Sequence, residues 1–142
     1  MSVEENLRVI DSAIDAFNAH DWDRFIGLHA ESVIDYDPAI PEPRKGRAAL
    51  RQSIQDLVTA FPDLHGRKER SFGHGDWVSA EFTMTGTHKG PLPGPGGQMI
   101  PATNKPFRGK EAIVFKLEGG EITEVHEYYD LLGMMAQLGL TK

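Results

Sequence analysis

Apolar residues recur at helical spacing over roughly the first sixty positions and at alternate positions after that. Leu7, Ile10, Ile14 and Phe17 share one side of a helical wheel, with Arg8, Asp11 and Asp15 elsewhere. This predicts an amphipathic helix ending near Asn18–His20. Ser2 and Glu5 stand ahead of it at capping-box spacing. Asp21 is placed to cap a second helix that carries Trp22, Phe25, Ile26 and His29 on one side, with His29 read as a rim residue. A short alternating run from Ser32 is stopped by Pro38. Leu50, Ile54, Leu57, Val58 and Phe61 mark a third helix, ended by Pro62.

From His65 onward the period shifts to two. Runs over 65–72 and 77–88 flank Gly73–Asp76, a hairpin loop, and Val78, Ala80, Phe82 and Met84 share a face that His88 continues. Residues 107–117 form a further strand, with Ile113, Phe115 and Leu117 on one face and Arg108, Lys110 and Lys116 on the other. Gly119 and Gly120 then turn the chain back, since glycine reaches positive φ at low cost. Between the strands, Lys89–Pro106 is rich in proline and glycine. It reads either as a stiff connection or as a lid over a cavity mouth. Helices followed by a run of strands imply an α+β fold with helices on one face of a curved sheet.

The last strand concentrates the candidate chemistry. Strict alternation puts Ile122, Glu124, His126, Tyr128 and Asp130 on one face, and leaves Val125 and Tyr129 outward. A histidine and an aspartate on an apolar face form either a buried polar network or a site. Asp130 also stands where a helix N-cap belongs, ahead of Leu131–Gln137. Capping and catalysis both fit. Asp35 and Asp37 share a face with Val33, and Asp35 by itself reads as solvated or bonded within its loop. A carboxylate in an apolar cavity has its anion disfavoured, so Asp130, Asp37, Asp35 and Glu124 are candidate acids or bases, with His126 and His88 as partners. Trp22, Phe25 and Tyr36 are candidate walls.

The pattern from Gly119-Gly120 through Glu121, Ile122, Glu124, His126 and Asp130 to Gln137-Leu138-Gly139 resembles the carboxy-terminal signature of the SnoaL-like polyketide (ester) cyclases. Phe61-Pro62-Asp63, Gly86–Gly90 and Pro101–Lys105 fit the same family in the same order. The resemblance implies a single domain over residues 1–142 with an NTF2-like (cystatin-like) cone, in which three amino-terminal helices pack on a curved antiparallel sheet around a cavity. It also implies an acid–base role for Asp130 and intramolecular aldol closure of a polyketide ester. Isomerisation, dehydration or epoxide hydration are variants on the same cavity. The segment from Asp37 to Leu50 further resembles ketosteroid isomerase where that enzyme keeps its general base, which would carry that role to Asp37. His126 would complete the catalytic set, and His88, Tyr128, Glu124, Trp22, Phe25 and Tyr36 would contact substrate.

Charge and composition narrow the partners. A net charge of −6 over 142 residues argues against nucleic acid or an anionic membrane as the main partner. There are no cysteines, so disulfides and thiolate chemistry are excluded. The six histidines show no pairing at metal-ligand spacing, and no nucleophile elbow occurs. The expectation is therefore a cofactor-free and metal-free enzyme for a small apolar organic substrate. No run approaches a membrane span and the amino terminus is not a signal peptide, which leaves the cytoplasm as the default compartment. The outward sheet face predicts a homodimer. A non-catalytic binding protein and an assembly module of the same shape are the competing readings.

Overall fold

The computed structural model describes residues 1–94 and 96–141. Helix α1 (Val3–Asn18) starts where the Ser2 hydroxyl accepts from the Glu5 amide, and α2 (Trp22–Gly27) starts where Asp21 accepts from Arg24. Both caps satisfy amides that a helix start leaves without partners. Strand β1 (His29–Tyr36) and the two-residue β2 (Arg44–Lys45) precede α3 (Arg47–Ala60). Then come β3 (His65–His74), β4 (Trp77–Thr87), the short pair β5 (Leu92–Pro93) and β6 (Met99–Ile100), β7 (Pro106–Glu118), β8 (Glu121–Tyr129) and α4 (Leu131–Gln137).

Six strands form one sheet in the order β2-β1-β8-β7-β4-β3. All neighbours are antiparallel except β1 and β8, which run parallel. Ile10, Ala13, Ile26 and Leu50 from the helices meet Val33, Val78, Ala80, Phe82, Phe115, Leu117, Ile122 and Val125 from the sheet. A second cluster joins Phe17, Ala60, Phe61, Leu64, Phe107 and Leu138 towards α4. Each Val, Leu, Ile or Phe among them contributes about 1.5–3 kcal/mol when fully buried, so the two clusters hold the helices on the sheet and leave the space between them as the cone.

Strand β8 departs from strict alternation. Leu117 pairs with Ile122 but Lys116 with Glu124, so Thr123 is an extra residue in the strand. A bulge of this kind shifts the side-chain phase by one. Ile122 and Val125 are therefore both buried, and the residues that follow exchange faces relative to the alternating pattern. Val125, expected outward, belongs to the core, and Tyr129 lines the cavity.

The Pro/Gly segment packs on α3. The amides of Lys89 and Gly90 donate to the Ala60 carbonyl, and β5 lies against α3. A Cβ at Gly90 would collide with the Thr59 carbonyl oxygen. None of the described residues in 89–106 lines the cavity. The segment is a stapled connection, and the lid reading does not describe its position.

Candidate active site

Between the helices and the sheet lies a cavity of about 540 Å³, within the size range of small-molecule sites. Phe17, Phe25, Leu64, Phe82, Met84 and Phe115 supply much of its wall. One side is polar, built by four neighbouring strands and the turn after β1.

Strand alternation points Asp35 inward behind Val33, and the carboxylate is 2 % exposed, which corrects the solvated reading. Its opposite number across β2 is Arg44. The Arg44 guanidinium donates through Nη1 to Asp35 Oδ2 at 3.0 Å and to Asp37 Oδ2 at 3.1 Å, and stands 4.0 Å from Glu127 Oε2. Burial works against the Arg44 charge, but Asp35 and Asp37 more than offset it and hold the guanidinium cationic. Asp37 Oδ1 also accepts from the Ala39 amide at 2.9 Å, the short-range bond of an Asx turn, and from the Tyr129 hydroxyl at 2.7 Å.

Glu127 on β8 and Glu111 on β7 complete the polar side. Glu111 pairs with Tyr129 and Ile113 with Glu127, so the two glutamates are diagonal neighbours on the cavity face. Their carboxyl groups stand side by side on that face and act on one another. Arg44 is one positive charge against Asp35 and Asp37, so the inner cluster is already negative. Ionising both glutamates as well would set like charges side by side, at about 4 kcal/mol for adjacent unit charges at an effective dielectric of 20. Retained protons relieve this repulsion. Burial pushes Glu111 up to about 7, with Asp37 and Asp35 adding to the shift while the bond to Glu127 opposes it. Burial likewise drives Glu127 well above the usual carboxylate range, helped by its hydrogen bond to Asp35 and by repulsion from Glu111. A proton kept on Glu127 supplies Asp35 with a donor, and Asp35 Oδ1 is a buried oxygen without another partner. Burial and the bond to Asp37 raise Tyr129 far above an ordinary phenol, so it serves as a donor.

His29 also faces the cavity and is 2 % exposed, deeper than a rim residue. Its Nδ1 lies 2.9 Å from the Phe25 carbonyl and donates to it, which leaves Nε2 as an acceptor. Burial depresses its pKa, so the ring is neutral. Among the described residues no group of three or more His, Asp and Glu is placed to hold a metal ion. The buried carboxylates surround a guanidinium instead.

The residues singled out from the sequence fall into three groups. Asp37 and Phe25 line the cavity as expected. Asp130 lines its mouth, exposed, and caps α4 by accepting from the Gly133 amide at 2.8 Å. The remainder lie elsewhere. Beyond the Thr123 bulge, His126 turns to the outer face and stacks on Tyr36 at 4.5 Å with 6° between the rings. It also bonds Glu124, which approaches Lys116 on the same face. Tyr128 is 58 % exposed. Trp22 packs edge-on against Phe17 and Phe25, behind the wall. His88 is fully buried at the base of the Pro/Gly segment, where Nδ1 accepts from the Thr103 amide at 3.3 Å. His126, His88, Tyr128, Glu124, Trp22 and Tyr36 are therefore outside the cavity. Glu127, Glu111, Arg44, Tyr129 and His29 take the places that sequence reasoning had assigned to others. The one local signal that could have found Glu127 is the three-residue gap between the apolar Ile122 and Val125.

The chain is similar to known proteins over nearly its whole length. Residues 7–138 match the family described as SnoaL-like polyketide cyclase. The chain is 26% identical over 139 residues to the aklanonic acid methyl ester cyclase DnrD of Streptomyces peucetius, covering 94% of this chain and 90% of that protein. It is 33% identical over 108 residues to the aklanonic acid methyl ester cyclase DauD of Streptomyces sp. (strain C5), covering 75% of this chain and 62% of that one. Among solved structures, a protein of ketosteroid isomerase-like fold from Catenulispora acidiphila superposes with a TM-score of 0.78 at 22% identity, covering 94% of this chain and 93% of that one.

Proposed function

The chain belongs to the SnoaL-like polyketide cyclase family, and from that premise we propose that its cavity closes a ring in a small, largely apolar polyketide ester by cofactor-free acid–base chemistry, with Glu127 exchanging the proton. Family membership and likeness to ester cyclases support a cyclase or isomerase type of activity. The choice of residue and substrate is drawn from the cavity. A ring closure of the aldol type needs a proton removed beside a carbonyl and a developing oxyanion neutralised. Both are tasks for carboxyl groups whose pKa lies near the working pH.

The observation that carries the proposal is the setting of Glu127. It stands on the wall of an otherwise apolar cavity, in contact with Asp35 and Glu111, and burial keeps its proton well above the usual carboxylate range. Asp37 suits the work less well, since Arg44, Tyr129 and the Ala39 amide all donate to it. They make it an orienting anion. Asp130 is engaged by the Gly133 amide at the exposed mouth, where its capping role explains its position. Tyr129 and Arg44 in this reading fix the electrostatics around Glu127, as preorganised donors do.

The test is to incubate the protein with aklanonic acid methyl ester, the compound in the names of two relatives, and with a panel of open-chain polyketide methyl esters. Conversion to a chromatographically distinct isomer of equal mass is expected. Tight retention of these esters without conversion, in the wild type, would replace the enzyme with a binding protein.

A further inference from the structure

Glu111 is a second glutamate on the polar wall, beside Glu127. It projects from β7 onto the cavity face, one diagonal step from Glu127 in the ladder. No ion pair involves it among the described residues, whereas Arg44 reaches Asp35, Asp37 and the edge of Glu127. The charged groups around it are Asp35, Asp37 and Glu127 on the inner side and the rim residues Arg108 and Lys110 on its own strand. A single cation held by two aspartates cannot also neutralise two glutamates, so at least one proton stays on this pair of carboxyls.

We propose that Glu111 is the second proton carrier of the site, taking the proton from the nucleophilic carbon while Glu127 gives its own to the carbonyl oxygen of the electrophile, the pair resetting by passing one proton across their contact. The inference rests on the Glu127 reading and extends it. In the step, the C–H bond breaks and its electrons form the new C–C bond to the carbonyl carbon. The C=O π pair moves to oxygen, which takes the proton of Glu127. Glu111 ends protonated and Glu127 ionised, and transfer of the proton from Glu111 to Glu127 restores the start. Nothing is consumed and the product is an isomer. Two carboxyls in contact titrate as a pair, so the shared proton belongs to both. A rate that rises as pH passes through about 7 follows, because Glu111 must be ionised to accept a proton.

The experiment uses protein carrying ¹³C-carboxyl glutamate, titrated without substrate as wild type, Glu111→Gln, Glu127→Gln and Glu111→Asp, with amide spectra to verify the fold. The expected result is two separated steps for the wild-type pair. In Glu111→Gln the Glu127 resonance should titrate at least about one pH unit lower, since a neighbouring charge within hydrogen-bond reach shifts a carboxyl by one to three units. A Glu127 curve unmoved by Glu111→Gln overturns the shared proton, and this arm needs no turnover. The second arm follows ring closure of the polyketide ester. Glu111→Gln should lose about 10²-fold or more in kcat together with the rising limb of the pH profile, and Glu111→Asp should recover part of both. Loss of activity in Glu127→Gln with near-normal Glu111→Gln would remove Glu111 and leave the Glu127 reading standing. Near-normal activity in both variants would remove the two together.

Discussion

The Tyr129 hydroxyl donates to Asp37 Oδ1 at 2.7 Å, joining the end of β8 to the turn that follows β1. The two strands run parallel, and this bond closes the polar wall of the cavity where their ladder stops. Tyr129→Phe deletes the donor and leaves Asp37 with Arg44 and the Ala39 amide. A hydrogen bond to a charged acceptor is worth about 1.5–3 kcal/mol, so a loss of that size is expected in denaturant unfolding. An unchanged midpoint would show that Asp37 does not depend on the phenol.

The raised glutamates make a prediction about pH. An acid whose folded pKa lies above its unfolded value binds its proton more tightly in the folded state. Its contribution to stability is lost as pH rises from the unfolded value through the folded one. For Glu111 that window runs from about 4.5 to about 7. Glu111→Gln, which cannot ionise, should therefore stabilise the protein at pH 8 by about 1–3 kcal/mol and make little difference at pH 5. Thermal melts at the two pH values test it. A destabilised variant at pH 8 would contradict the buried-proton account.

Much of the scaffold was legible. Ser2 and Asp21 announced the first two helices, the α-to-β change of period at His65 was visible, and the Gly119-Gly120 turn takes the positive φ angles of 58° and 81° its glycines allow. The site was legible only in outline. Alternation along β8 predicted the wrong face because Thr123 inserts an extra residue, marked in the sequence only by the spacing of Ile122 and Val125. Asp35 read as solvated because its partner Arg44 arrives through a two-residue strand too short to show a period. Glu111 lies among the polar and charged residues of β7, and only pairing with β8 reveals that it meets Glu127.

The connection between β4 and β7 predicts a separation of stability from chemistry. Gly90 lies so close to Thr59 that a Cβ would collide with its carbonyl oxygen. Gly90→Ala should cost about 1–3 kcal/mol, the range for overpacking, with turnover per folded molecule unchanged. Loss of turnover at full folding would restore a lid role to the segment.

The outer sheet face carries Tyr36, Trp77 and Tyr128, exposed by 39 %, 40 % and 58 %, with His126 among them. These aromatic bodies, and not Val125 or Tyr129, are the surface on which a homodimer is expected. Sedimentation at tens of micromolar should give twice the chain mass of 15.7 kDa, and Trp77→Glu with Tyr128→Glu should halve it. A monomeric wild type would contradict the interface.

Glu127, set on the cavity wall, is proposed to exchange the proton that the family resemblance assigns to Asp130. The most direct measurement of this is the rate of ring closure on a polyketide methyl ester by Glu127→Gln and Asp130→Asn, side by side with the wild type. General acid–base groups supply about 10²–10⁴-fold, so Glu127→Gln should fall by that amount while its amide spectrum remains native. Asp130→Asn should stay within a few-fold, its cost confined to about 1 kcal/mol of cap stability. An active Glu127→Gln beside an inactive, folded Asp130→Asn would contradict the account.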